Sequence, residues 1–169
     1  DCDLVLSSAG VSVGEEDHVK PAVEQQGELN LWMISMKPGK PFAYGRVFRN
    51  GKDDAQGVAH FMGLPGNPVS SFITFLLLVR PFVLRLQGME DVAPKAIEVT
   101  AQFDWLKNEK RREFLRARHT GNGGLALFGN QGSGVLTSTV WGDGLIDNPP
   151  LTQIRQGDIV RFIPFSELM

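Results

Sequence analysis

Val58-Ala-His-Phe-Met-Gly-Leu-Pro-Gly-Asn-Pro-Val-Ser-Ser71 is the stretch whose reading decides the fold. Residues 58–62 have the length and apolar character of a buried strand. Gly63-Leu-Pro-Gly-Asn-Pro68 breaks that run, and residues 69–86 are apolar nearly all round, which predicts a helix buried on several faces. Asn67 is the expected N-cap and Pro68 the first helical residue, because proline's fixed φ suits that position and its missing amide is not needed there. Pro81 is expected to kink or divide the helix. A strand that passes through a Gly/Pro turn into a helix aims free amides, here those of Val69, Ser70 and Ser71, and the positive end of the helix dipole at one spot. Such a spot attracts anions, although an ordinary rigid turn has the same sequence signature.

Upstream of this stretch, strand-like and helix-like segments alternate in the manner of a parallel α/β layer. Residues 4–6 read as a short buried strand, residues 17–26 as a helix stopped by Gly27, and residues 31–36 and 42–48 as strands. Asn50-Gly51 is a hairpin-type turn signal. Downstream of Gln87-Gly88 the character changes. Residues 89–95 read as a linker, and from Ile97 short strand-like runs (97–103, 114–118, 125–128, 159–163) are separated by Gly and Asn clusters without a helical pattern. That spacing predicts a small all-β barrel or sandwich. The expected fold is therefore α/β over residues 1–90, followed by a small all-β domain over residues 95–169.

The bulk properties exclude several function classes. With 17 Lys+Arg against 19 Asp+Glu the formal net charge is −2, so no overall basic field marks a nucleic-acid binder and any anion site must be local. A single cysteine, Cys2, forms no internal disulfide and no cysteine-rich metal site, which fits a reducing, cytoplasmic compartment. The longest apolar run, residues 72–79, falls short of the ~20 residues of a membrane span, and no signal or lipidation motif is seen. The chain starts at Asp1 without an initiator Met and almost at once enters an apolar strand, so a fragment of a longer chain is expected.

Three segments carry candidate chemistry. Lys37-Pro-Gly-Lys-Pro41 is a stiff loop with two lysines three apart, able to grip an oxyanion at small entropic cost, or else a solvated surface turn. Ser12-Val-Gly-Glu-Glu-Asp17 ends in three acids that suit a hard cation such as Mg²⁺ or acid/base work, while acids at a helix start also complement the dipole, with Asp17 as N-cap. Residues 107–118 hold six basic residues against two acids, and strand alternation would align a row of arginines suited to oxyanions, or simply protect a sheet edge. His18, His60 and His119 are too scattered for a ligand set, with His60 reading as a core residue, and the three tryptophans read as packing residues.

In chain order these segments resemble the MoeA/gephyrin family of molybdenum-cofactor enzymes, the molybdopterin molybdenumtransferases. The resemblance rests on Asp3-Leu-Val-Leu-Ser-Ser-Ala-Gly-Val-Ser-Val-Gly-Glu-Glu-Asp17, Lys37-Pro-Gly-Lys-Pro-Phe42 and Gly63-Leu-Pro-Gly-Asn-Pro-Val-Ser70, with Arg111-Arg-Glu-Phe-Leu-Arg116 and Gln131-Gly-Ser133 in support. It implies a partial three-layer molybdopterin-binding domain followed by a β-barrel, and insertion of molybdenum from molybdate into adenylylated molybdopterin with release of AMP. It further implies catalytic roles for Asp17, Lys37 and Lys40, with Asp17 also binding Mg²⁺. Ser12, Gly14, Gly39 and Ser70 would bind the molybdate and pterin-phosphate substrates, with Pro65, Gly66, Asn67 and Pro68 shaping the loop between. Arg111 and Ser133 would approach from the barrel. Implied partners are the small-molecule substrates, a second copy in a homodimer of the full-length protein, the molybdopterin adenylyltransferase and molybdoenzyme apoproteins, with no nucleic acid and no membrane. Ala9 and Lys110 stand where the family has glycine. The competing readings are an adenylyltransferase-like enzyme, against which the all-β tail counts, and a scaffold module that docks a partner's peptide, against which the retention of Lys37, Lys40 and Asp17 counts.

Overall fold

The computed structural model describes residues 2–10, 18–49 and 57–169. The first half contributes β1 (Leu4–Ser8), α1 (Val19–Gln26), β2 (Gly27–Met33), β3 (Met36–Lys37), β4 (Pro41–Phe48) and β5 (Val58–Leu64). Four of these form a sheet in the order β1-β5-β4-β2. Only β1 and β5 run parallel; β5–β4 and β4–β2 are antiparallel, which corrects the expected parallel layer. Seven residues separate β2 from β4 and nine separate β4 from β5, too few for the crossover that parallel neighbours need. Asn50-Gly51 lies outside the described residues.

Alternation along β4 and β5 gives this sheet two covered faces. Ala43 and Phe61 point to one face and pack with Val23 of α1, while Phe42, Met62 and Leu64 point to the other and pack with Val79. Helix α1 begins with His18 at the cap position and no side-chain cap bond, one residue later than the acids suggested. Asp17 itself is outside the described residues.

The apolar stretch after β5 is helical from Pro68 to Leu86, in three pieces: α2 (Pro68–Thr74), a π-helical turn (Phe75–Val79) and α3 (Arg80–Leu86). The division expected at Pro81 thus takes the form of a π turn, in which the Arg80 amide donates to the Phe75 carbonyl just before the residue that has no amide to give. At 19 residues and mean hydropathy 1.8 this helix is longer than the apolar run read from sequence, and by length and composition alone could cross a bilayer. Its buried residues are consumed by protein: Val69, Ile73 and Leu76 pack with Met36, Phe114, Leu145 and Ile163, and Val79 packs on the first sheet.

The second half contributes β6 (Ile97–Thr100), β7 (Arg112–His119), β8 (Leu125–Leu127), α4 (Thr137–Trp141), β9 (Gly144–Asn148) and β10 (Ile159–Pro164). The sheet runs β3-β7-β9-β10-β6 with β8 also on β7, and a bridge between Ala101, just beyond β6, and Leu125 closes it into a small barrel. Strand β9 and helix α4 were not expected. Asp147 and Asn148 give β9 the look of a turn, yet Asp147 is paired by Arg112 at 2.5 and 2.7 Å and the Asn148 amide donates to the Thr152 carbonyl at 3.0 Å.

The barrel buries one arginine. Arg116 is 1% exposed and donates to Ser138 Oγ (3.0 Å), the Phe114 carbonyl (3.4 Å) and the Gly132 carbonyl (3.1 Å), and burial pushes its pKa down to about 10. The expected row of oxyanion-binding arginines is therefore spent internally: Arg112 pairs with Asp147, Arg116 holds the Gly132 loop, and Arg118 lies 4.3 Å over the Trp141 ring. Replacing Arg116 by Ala leaves a cavity and several buried acceptors without donors, an expected loss of about 3 kcal/mol or more. Urea unfolding checks this; a loss under about 1 kcal/mol would show that the guanidinium is dispensable.

Candidate active site

A cleft of about 520 Å³ opens where the first sheet, the start of α2 and the barrel meet. Lys37, Gly39 and Lys40 form one wall, and Pro65, Gly66, Asn67 and Ser70 a second. Arg111 and Ser133 close it from the barrel, with Gln131 and Gly132 beside them. Ala9 and Gly10, at the end of β1, complete the rim. The lysine loop and the helix start, read separately from sequence, thus share one cavity. Pro68 does not line it; it occupies the first turn of α2, as its fixed φ favours. Ser12, Gly14 and Asp17 lie outside the described residues.

The lysine loop is held from several sides. After β2, Ile34 N–H bonds back to the Lys40 carbonyl at 2.8 Å, and the chain then leaves the first sheet as β3, which pairs with β7 so that Lys37 faces Glu113. The Lys37–Pro38 peptide is cis and Gly39 has φ 112°. Only glycine fits there, since a Cβ at Gly39 would stand 2.6 Å from Thr74 Oγ1 and the backbone is in the left-handed half of φ space. That buried hydroxyl has no hydrogen-bond partner among the described residues.

The start of α2 offers fewer amides than the sequence suggested. Asn67 sits at the cap in extended conformation without a side-chain cap bond. The Val69 amide donates to the Ser133 carbonyl at 3.0 Å, and the Ser71 amide closes onto the Asn67 carbonyl at 2.9 Å. The barrel loop and the turn itself thus take donors that were expected to face an anion. Ser71 Oγ also donates to the Pro65 carbonyl, fixing the Gly/Pro turn. Across the rim, Ala9 takes φ 71°, where the family's glycine would be less strained, and its amide donates to the Leu64 carbonyl at 3.0 Å.

Sequence reasoning missed the carboxylates. Lys37 Nζ lies 3.1 Å from Glu109 Oε2 and 3.3 Å from Glu113 Oε1. Glu113 is buried and also accepts from the Trp105 indole at 2.7 Å, so Trp105 is more than packing. Glu109 grips Arg111 in a two-point bond, Nε to Oε1 at 3.2 Å and Nη2 to Oε2 at 3.1 Å. Lys40 has no salt bridge with any described residue. The only signal for these pairs was the presence of Glu109 and Glu113 in a basic segment, and nothing local shows which cation they face. His60 is a satisfied packing residue, with Nδ1 2.9 Å from Tyr44 Oη and its ring edge-on to Phe82. Among the described residues no cluster of three His, Cys, Asp or Glu is placed to hold a metal ion.

Hydrogen bonds from Arg111, and then from Lys37, hold the Glu109 carboxyl down to about 2, against 4.5 for an unperturbed glutamate. A depressed carboxylate pKa contributes stability that is complete above the unfolded value and is lost as pH falls toward the folded one. Wild type should therefore exceed Glu109→Gln in stability above about pH 5, with the difference fading between about pH 4.5 and 2. Unfolding curves of both proteins across that range test it, and a difference that stays constant with pH would refute it.

The comparisons with known proteins agree with this architecture. Residues 1–85 match the family model described as a probable molybdopterin binding domain, and residues 98–165 the one described as the MoeA C-terminal region (domain IV). The chain is 35% identical over 173 residues to a molybdopterin molybdenumtransferase of Haemophilus influenzae, covering 99% of this chain and 41% of that protein. It is 35% identical over 159 residues to the molybdenum cofactor synthesis protein cinnamon of Drosophila melanogaster, covering 90% of this chain and 25% of that protein. Among solved structures, a molybdopterin biosynthesis moeA protein from Pyrococcus horikosii superposes with a TM-score of 0.70 at 28% identity, over 96% of this chain and 37% of that one. The chain thus spans well under half the length of these relatives. With half its residues matched by the first model and most of the remainder by the second, it belongs to the molybdopterin molybdenumtransferase (MoeA/gephyrin) family of molybdenum-cofactor biosynthesis proteins.

Proposed function

We propose that the complete protein inserts molybdenum from molybdate into adenylylated molybdopterin and releases AMP, with this chain supplying the oxyanion-binding part of the active site. The observation that carries the reading is the meeting of Lys37, Lys40, Arg111 and the start of α2 in one cleft. Molybdate and the phosphate groups of the pterin substrate are both anions with tetrahedral oxygens, and both call for directed N–H donors in a partly enclosed space. In this reading residues 1–90 are the later part of the molybdopterin-binding domain and residues 95–169 the β-barrel domain.

Lys40 is the cation available to meet a substrate oxyanion, since Lys37 and Arg111 are already held by carboxylates. Lys37 keeps a third N–H and Arg111 its Nη1 edge for the ligand. Ser70, Gly39 and Ser133 shape the space between, so that an oxyanion is oriented by groups that need not reorganise. Mg²⁺ would be held by Asp17 with its acidic neighbours and would supply charge neutralisation at the adenylyl phosphoanhydride. Those residues are outside the described part, and the described carboxylates at the cleft are tied to Lys37, Arg111 and Trp105. A cytoplasmic location, a homodimer of the complete protein, and association with the adenylyltransferase and with apoproteins that receive the cofactor belong to the same proposal, on family grounds.

Lys40→Ala separates chemistry from folding better than Lys37→Ala, because Lys37 also neutralises the buried Glu113. Loss of a charge-assisted contact of about 1.5–3 kcal/mol corresponds to roughly ten- to hundredfold weaker molybdate dependence of AMP release, with the thermal midpoint nearly unchanged. AMP release measured against molybdate concentration in the complete protein decides it. An unaltered profile would remove the lysine loop from the reaction.

A further inference from the structure

Two carboxylates touch Lys37, and they differ in kind. Glu113 is 1% exposed, fixed by the pairing of β7 with β3 and by the Trp105 indole. Glu109 stands on the irregular segment before β7, with its side chain 21% exposed. Its side-chain partners are the two cations, Lys37 and Arg111, and the Arg111 amide at 3.3 Å. Lys37 and Arg111 both line the cleft, and Glu109 Oε2 bridges them at 3.1 Å to each. A carboxylate oxygen between two cleft cations stands where an anionic ligand oxygen would make its best contacts.

The tether strengthens this internal anion. Glu109 is two residues from Arg111, so it competes with free anions at high effective concentration. A tetrahedral monoanion offers the Lys37–Arg111 pair no more charge than the carboxylate already there. A dianion brings a second charge, and Lys40, which lines the same cleft, has no carboxylate of its own among the described residues. We propose that Glu109 is a built-in competitor at the site: its carboxylate holds the Lys37–Arg111 bridge when the cleft is empty and is displaced when a tetrahedral oxyanion binds. This rests on the reading of the cleft as an oxyanion site, and the chemistry Glu109 competes with is shared by a metal oxyanion and by a phosphate group.

Perrhenate and tungstate are tetrahedral oxyanions of similar size that differ by one charge, and inorganic phosphate, at a pH above its second ionisation, supplies the other source of dianion. Equilibrium binding of all three to the complete protein, measured by titration calorimetry, compares wild type with Glu109→Gln and Glu109→Ala. Neither variant alters the Glu109 carbonyl, which accepts from the Leu151 amide at 2.8 Å. Wild type should bind the dianions and hold perrhenate weakly. Both variants should bind all three anions more tightly, tungstate by roughly five- to tenfold and perrhenate by no more than that, because a ligand that displaces the carboxylate recovers the whole of that cost when the charge is removed. Unchanged or weaker binding in the variants, a variant-to-wild-type affinity ratio of one or less, would make Glu109 a support for Lys37 and Arg111 and overturn the competitor role alone. If neither wild type nor variants bind any of the three, the oxyanion reading of the cleft fails together with it. Should one substitution unfold the protein, the other variant and the ratio it gives carry the decision.

Discussion

Glu113 is a carboxylate taken almost wholly out of water, and the arrangement of the cleft follows from the need to neutralise it. A buried charge without a partner costs several kcal/mol. The Trp105 indole supplies one hydrogen bond and Lys37 the opposing charge. Lys37 reaches Glu113 because β3 leaves the first sheet after Met33 and pairs with β7, placing the two residues directly opposite. The chain must then return to the first sheet to form β4 at Pro41. Between these fixed points only Pro38, Gly39 and Lys40 remain, which leaves the loop little choice of path. One buried ion pair thereby locates both lysines and joins the two halves.

The long helix completes the junction by serving two cores at once. Val69, Ile73 and Leu76 pack with barrel residues Phe114, Leu145 and Ile163, whereas Val79 packs with Phe42 and Met62 of the first sheet. A helix with a single apolar stripe satisfies one core; apolar residues around most of the circumference are needed for two. At its first turn the Val69 amide is taken by the Ser133 carbonyl, and Arg116 holds the adjacent Gly132 carbonyl from inside the barrel. The helix start is thus fastened to the barrel by backbone bonds as well as by packing.

The same residues explain what was legible in the sequence. The strand, turn and helix of residues 58–86, the Pro81 interruption, the lysine loop and the change of character after Gly88 are local patterns, and each stands in the structure close to where it was read. What failed depends on partners distant in sequence. Asp147 is strand rather than turn because Arg112, 35 positions away, neutralises it. Glu113 meets Lys37 across 76 positions, so nothing near either residue reveals that the loop lysine is partly neutralised. The mixed strand directions of the first sheet likewise follow from connections too short for a crossover helix, a constraint that alternation of segment types does not display.

These constraints bear directly on what the cleft can do. Donors that bind an oxyanion tightly must already point at it, since lysine and arginine side chains otherwise lose rotamer freedom on binding. Glu109 and Glu113 remove much of that freedom from Lys37 and Arg111 in advance, at the expense of part of their charge. Lys40 is held by no carboxylate among the described residues. The cleft therefore combines two oriented, partly neutralised cations with a third, Lys40, that is paired with no carboxylate among the described residues. Because the lysine loop and Arg111 are fixed to the barrel through the pairing of β3 with β7, and the start of α2 forms the second wall, the separation of the walls is set by the core shared by α2 and the barrel. A change of packing at Ile73 or Phe114 would move one wall relative to the other without touching a single cleft residue, and misplacement by about 1 Å is enough to cost directed contacts.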